Sequence, residues 1–172
     1  MGAMTPPMWA PWRIEYIVGP KASGGCVFCA YADHGMSNAQ DDLVLCATEH
    51  AFVVLNRYPF AAGHLLVVPR RHLADPSELE AAEHEALFRL TTEACGRLKR
   101  AVKADALNVG MNLGASAGAG IAEHLHVHIV PRWPGDTNFM PVLADVRVMP
   151  QALEATWRHL RPHFDDLSTV SV

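Results

Sequence analysis

The sequence has no surplus of positive charge: 14 lysines and arginines stand against 18 aspartates and glutamates, a formal net charge of −4. That balance argues against an extended basic face for gripping nucleic acid, although a local site can still hold a single nucleotide. No stretch approaches the roughly 18 apolar residues of a membrane span, and the opening MGAMTPPMWAPWR lacks the apolar core of a secretory signal. Cysteine is scarce, with four in 172 residues, and only Cys26 and Cys29 are close in sequence, so there is no disulfide framework. These absences lead us to expect a cytoplasmic protein with reduced or metal-bound thiols and neither a nucleic-acid nor a membrane partner. Half the residues are hydrophobic and 19% are charged. With no internal repeat, this composition describes one domain over residues 1–172 that buries its own core.

Periodicity places the elements. Leu43–Thr48, Ala51–Asn56 and His64–Val68 read as an antiparallel meander. Before them, GGCVFC leads into the polar stretch ADHGMSNAQDD, which reads as a loop. Asp75, Pro76 and Glu78 supply a cap, a first-turn proline and a capping-box acid. Leu79, Ala82, Ala86, Leu90, Ala94, Leu98 and Val102 then recur every three or four positions, which predicts a helix over 76–103. A strand over Ala106–Asn112, a small-residue loop, a histidine strand ended by Pro131 and a helix from Pro150 to about Phe164 complete the chain. The tail Asp165–Val172 is expected to fray. The fold class is α+β: an antiparallel sheet with one long helix and a C-terminal helix.

The chemistry is concentrated in HLHVHIVPRW, residues 124–133. In a strand, His124, His126 and His128 share one face, about 7 Å apart, while Leu125, Val127 and Ile129 line the other. Neutral imidazole attacks phosphorus well near neutral pH, and alternate histidines can bracket a phosphate bound at the middle one. On this reading His126 attacks, and His124 and His128 orient it or contact phosphate oxygens. The loop from Gly114 to Gly120 ends just before the motif, and its glycines allow successive N–H groups to converge on an anion without a basic side chain. A metal-binding cupin barrel also opens with a glycine, five residues and His-x-His. Its glutamate ligand would fall at Arg132 or Trp133, which cannot bind a cation in its place.

A second constellation, Cys26-Val27-Phe28-Cys29, offers two thiolates to one tetrahedral metal, and spacing alone leaves the other two ligands open. His64 either supports the site or touches substrate. His34, His50, His84, His159 and His163 read as surface residues, and Arg70-Arg71 as a solvated turn. Trp9, Trp12 and Trp133 either pack in the fold or stack on a base, and of these only Trp133 sits beside the motif.

HLHVHIVPRW resembles the signature of the histidine-triad (HIT) superfamily, His-φ-His-φ-His-φ-φ with φ hydrophobic. The likeness continues in LNRYPFAAGHLLVVPRRH (55–72) and PRWPGD (131–136) and covers about residues 9–160. HIT proteins are nucleotide hydrolases and transferases in which the middle histidine becomes nucleotidylated, which implies His126 as the nucleophile. The resemblance also implies Asn56 at the ribose, Asn112 near the α-phosphate, and loop contacts from Ser116, Gly118 and Gly120. Zinc-bearing HIT proteins and the related galactose-1-phosphate uridylyltransferases imply His72 and His124 as partners of Cys26 and Cys29 around a structural zinc, with no organic cofactor. WAPWR (9–13), NVGMNLG (108–114), SAGAG (116–120) and WPGDTNFM (133–140) look most like the bacterial diadenosine tetraphosphate phosphorylases. That branch implies phosphorolysis, with inorganic phosphate as acceptor. The alternatives are a HIT hydrolase of dinucleoside polyphosphates or nucleoside phosphoramidates, and a non-catalytic nucleotide-binding module. The family also implies a homodimer with carboxy-terminal segments near the partner's site.

Overall fold

Three runs of aliphatic and β-branched residues form the first strands of a computed structural model that describes residues 25–136 and 152–168. They are β1 (Val44–Ala47), β2 (Ala51–Leu55) and β3 (Leu65–Pro69), an antiparallel meander in which every residue is buried. Strand β5 (Val127–Arg132) then inserts between β3 and β4 (Ala106–Met111), giving the order β1-β2-β3-β5-β4. WAPWR, the residues 137–140 and the predicted helix start at Pro150 lie outside the described residues.

The long helix, α3 (Ala81–Val102), lies across β2, β3, β5 and β4. Its start differs from the expected one. The Asp75/Glu78 capping box is present but closes a separate three-residue turn, Pro76–Glu78, and α3 begins five residues later behind its own capping box of Glu80 and Glu83. Its buried face is Leu87, Leu90, Thr91, Ala94 and Leu98, so Leu87 belongs to the face and Ala82, which is exposed, does not. At the far end Gly63, at φ 82°, brings the chain against this helix. A Cβ there would stand 3.4 Å from Leu98 Cδ1 and 3.7 Å from Pro131 Cγ, and an L side chain would also strain the left-handed backbone.

Strand register sorts the two faces. The pairs Phe52↔Val68, Val54↔Leu66, Leu66↔His128 and Gly110↔His128 put Phe52, Leu66, His128 and Gly110 on the face opposite α3. Pro131 does not end β5. It pairs with Leu107 beyond Ile129, where β5 has left β3 and is flanked on one side only, a position at which a strand tolerates proline.

The stretch read as a loop before β1 is mostly helical: α1 (Val27–His34) and α2 (Ala39–Asp42). Phe28, Tyr31 and Ala32 recur at helical spacing and are buried, and tertiary burial of that stripe outweighs the polar composition around it. His34 Nδ1 meets Asp42 at 2.7 Å and joins the two helices. Helix α4 (Leu153–Leu160) packs beside β1, with the Trp157 indole N–H donating to the Val44 carbonyl at 2.9 Å. The segment expected to fray is held as far as it is described: Leu167 packs on the core, and Arg97 bonds Asp166 and the His163 carbonyl. Among the described residues, no helix is long and apolar enough to cross a membrane.

Leu98 joins α3 to the sheet and is fully buried. Leu98→Ala is expected to cost about 2–5 kcal/mol, the range for deleting a buried leucine side chain. Urea unfolding measures it, and a loss below about 1 kcal/mol would mean that this contact does not carry the helix–sheet packing.

Candidate active site and metal cluster

The three histidines do not share one regular strand. Only His128 enters the β5 ladder; His124 and His126 precede it, in a segment held by the Leu125 N–H donating to the Leu73 carbonyl at 2.6 Å. That irregular approach lets each ring find its own partner. His126 Nδ1 lies 2.8 Å from the His124 carbonyl oxygen. A carbonyl only accepts, so the proton sits on Nδ1 and the neutral ring carries its lone pair on Nε2. The side chain is buried, and burial pulls its pKa below the usual histidine value, partly opposed by the carbonyl bond. A neutral imidazole with a lone pair at Nε2 is the form a nucleophile requires.

The neighbouring rings can be assigned in the same way. His64, fully buried, accepts the Phe60 backbone N–H at Nδ1, 3.1 Å away. Its proton therefore sits on Nε2 and points to His128 Nδ1 at 3.0 Å. Neutral His128 then carries its own proton on Nε2, with its ring 4.9 Å from that of His126. His64 thus supports the site by setting its neighbour's tautomer. Asn56, expected at the ribose, is engaged in the same network: its Oδ1 accepts the Tyr58 N–H at 2.9 Å and its Nδ2 meets His64 Nδ1 at 3.3 Å.

Asn112 lines an open groove on the β4–β5 face together with His128, Asn108, Gly110, Phe60 and Arg132. Three amides of the glycine loop are engaged within the loop. The amides of Ala117 and Gly118 donate to the Gly114 and Ala115 carbonyls at 3.2 and 2.9 Å, and Ala119 to Gly114 at 3.4 Å. Those three N–H groups close a turn over Ala115–Ala117, because positive φ at Gly114 and Gly118 folds the loop on itself. Ser116 and Gly120 are exposed on this loop. Trp133 donates its indole N–H to the Lys103 carbonyl at the end of α3, 3.1 Å away.

Cys26 and Cys29 stand at the start of α1, His72 in the turn after β3 and His124 on the approach to β5, with ligand atoms all within 4.8 Å of one another. His124 donates from Nε2 to the Pro69 carbonyl at 2.9 Å, which turns its Nδ1 lone pair toward Cys26 Sγ, 3.2 Å away. Cys29 Sγ lies 3.3 Å from His72 Nδ1. Burial and the adjacent Cys26 push the Cys29 thiol up to about 11. Four N and S donors, one oriented by a carbonyl at its other ring nitrogen, fit a tetrahedral metal. This group could hold a metal ion. Cys46 is a buried core thiol, pushed up to about 12 by burial.

Sequence reasoning missed two participants. Phe28 packs its ring 5.4 Å from both His124 and His126; an apolar residue between two cysteines carries no chemical mark of that role. Arg70, read as solvated, is half-buried and donates to the Ala32 carbonyl at the end of α1 at 2.6 Å, a contact made only through the fold. Arg71 is exposed as expected and bonds Glu83 at 2.6 Å.

Comparison with known proteins agrees with this geometry. A family model described as HIT domain matches residues 37–135. AP-4-A phosphorylase of Mycobacterium tuberculosis is 36% identical over 159 residues, 89% of this chain and 81% of that protein. An uncharacterized HIT-like protein of Saccharolobus solfataricus is 35% identical over 67% of this chain and 79% of its own. The structure of a Zn-bound histidine triad family protein from Mycobacterium smegmatis superposes with a TM-score of 0.64 at 25% identity, over 83% of this chain and 95% of that one. A hypothetical histidine triad nucleotide-binding protein from Sulfolobus tokodaii gives 0.65 at 28%, over 83% and 93%. In sequence, in its α+β fold and in the histidine motif that leads into β5, this chain belongs to the HIT family.

Proposed function

We propose that this HIT-family enzyme transfers a nucleotidyl group from a dinucleoside polyphosphate to inorganic phosphate through a covalent bond to His126, converting diadenosine tetraphosphate and phosphate to ATP and ADP. The observation that carries the reading is the His126 tautomer: Nδ1–H bound to the His124 carbonyl at 2.8 Å, so that Nε2 is the nucleophilic nitrogen. The choice of substrate and acceptor is supported by the 36% identity to a protein named for AP-4-A phosphorolysis.

In the first step Nε2 of His126 attacks the α-phosphorus. The N–P bond forms, the bridging P–O bond breaks, and its electron pair leaves on the terminal phosphate of ATP. The positive charge on the nucleotidylated ring is shared with the His124 carbonyl through Nδ1–H. His128, with its Nε2–H set by His64, donates to a phosphate oxygen. In the second step an oxygen of hydrogen phosphate attacks the same phosphorus, ADP forms, and the N–P electron pair returns to Nε2. Two in-line steps restore the enzyme without a net change in its protons.

The reading extends to zinc at Cys26, Cys29, His72 and His124. The ion would act structurally there, tying α1 to the β5 approach, since all four positions of a tetrahedral site are protein ligands. It also extends to a homodimer; β4, at the edge of the sheet, with Val109 50% exposed, offers an edge for a second copy.

His126→Ala should retain substrate binding by calorimetry and lose turnover by at least about a hundredfold, the scale of covalent and acid–base effects. Residual activity near wild type would remove His126 from the mechanism, and failure to trap a nucleotidylated wild-type protein would favour a binding module. Diadenosine tetraphosphate should give ATP and ADP as phosphate is raised into the millimolar range. ATP and AMP alone, at every phosphate concentration, would assign water as the acceptor. Elemental analysis of untagged protein should find one zinc per chain. Cys26→Ser should lower the melting temperature, by about 2–4 °C for each kcal/mol of linked stability lost. Protein without zinc that takes none up on titration would reject the metal.

A further inference from the structure

We propose that the open groove along β4 and β5 is the subsite for the nucleoside of the departing nucleotide, an inference that rests on the nucleotidyl-transfer reading above. The groove has a volume of about 340 Å³ and is lined by His128 at one end and Arg132 at the other. Those residues are four apart on one strand, about 13 Å by the rise per residue. The volume lies at the low end of small-molecule sites, enough for one nucleoside and its nearest phosphate but not for a whole dinucleotide.

Position decides which half it takes. His126 packs on Phe28, 5.4 Å away by ring centroid, and on His128, 4.9 Å away; His128 lines the groove and His126 does not. A phosphorus at His126 Nε2 therefore has the groove beyond His128. In-line displacement sends the leaving group away from the attacking nitrogen, and the groove provides that exit.

The chemistry of the far end suits a nucleoside better than a polyphosphate. The Arg132 guanidinium is neutralised by Asp136 through two bonds of 2.5 and 2.8 Å, and its Nη1 donates to Asn108 Oδ1 at 2.9 Å. No net positive charge is left there for a phosphate chain. Because Asn108 Oδ1 accepts from arginine, its NH₂ is the group it can offer a ligand in the groove, a donor matched to the acceptor oxygens and nitrogens of ribose or base. Val130 and Phe60 contribute apolar wall.

The test compares diadenosine tetraphosphate with adenosine 5′-tetraphosphate. Both place the same adenylyl group on His126, but only the first releases a nucleoside. Asn108→Leu removes the donor edge, and Val130→Trp fills the groove from the facing strand. Each should lower kcat/KM for the dinucleotide about tenfold more than for the mononucleotide, the effect of one lost hydrogen bond or equivalent contact. Thermal melts check folding, and the two variants lie on different strands, so that one can serve if the other is destabilised. Equal losses on both substrates, or no loss on either, would overturn the subsite. Wild-type protein that cleaves neither compound would instead overturn the transfer reading on which the subsite depends.

Discussion

Two backbone carbonyls, those of Pro69 and His124, set the chemistry of two adjacent imidazoles. Each accepts an N–H from one ring nitrogen and so leaves the lone pair on the other. His124 is bound through Nε2 and presents Nδ1 to the cysteines; His126 is bound through Nδ1 and presents Nε2. Two residues apart, the same side chain faces a thiol through Nδ1 at one position and, in the proposed reaction, would attack through Nε2 at the other. The difference lies in which nitrogen the main chain occupies.

That arrangement depends on strand order. Because β5 lies between β3 and β4, the segment entering it runs beside the chain leaving β3, where the Leu125 N–H bonds the Leu73 carbonyl and His124 reaches Pro69. The same crossing brings His64, at the head of β3, against His128, at the start of β5. Helix α1 closes the cluster from the opposite face to α3, with Phe28 packed on Phe52 and both inner histidines. The position of the thiols is therefore tied to the same apolar contacts that enclose His126.

The charge economy of the site follows from the acidic composition of the chain. The arginines nearest the site are already engaged: Arg70 with the end of α1, Arg71 with Glu83 and Arg132 with Asp136. In the proposed transfer, phosphate recognition would therefore fall to ring N–H donors and backbone amides, neutral groups that do not hold a product as a fixed cation would.

The sequence by itself determined the histidine motif, the Cys-x-x-C pair, the α+β class and the meander, because each is written in local spacing: period two for strands, three to four for α3. Through family likeness it also named Asn112 and His72. Tertiary structure decided what spacing cannot express. ADHGMSNAQDD is helical because Phe28, Tyr31 and Ala32 have a core to pack against, and α3 starts at Ala81 because a second capping box competes with the first. The glycine loop folds three amides inward, a matter of φ angles that composition does not specify. Above all, the tautomers of His64, His124, His126 and His128 are set by partners distant in sequence or by backbone bends at the strand entrance. A hydrogen bond needs a position in space, and only the folded chain supplies it.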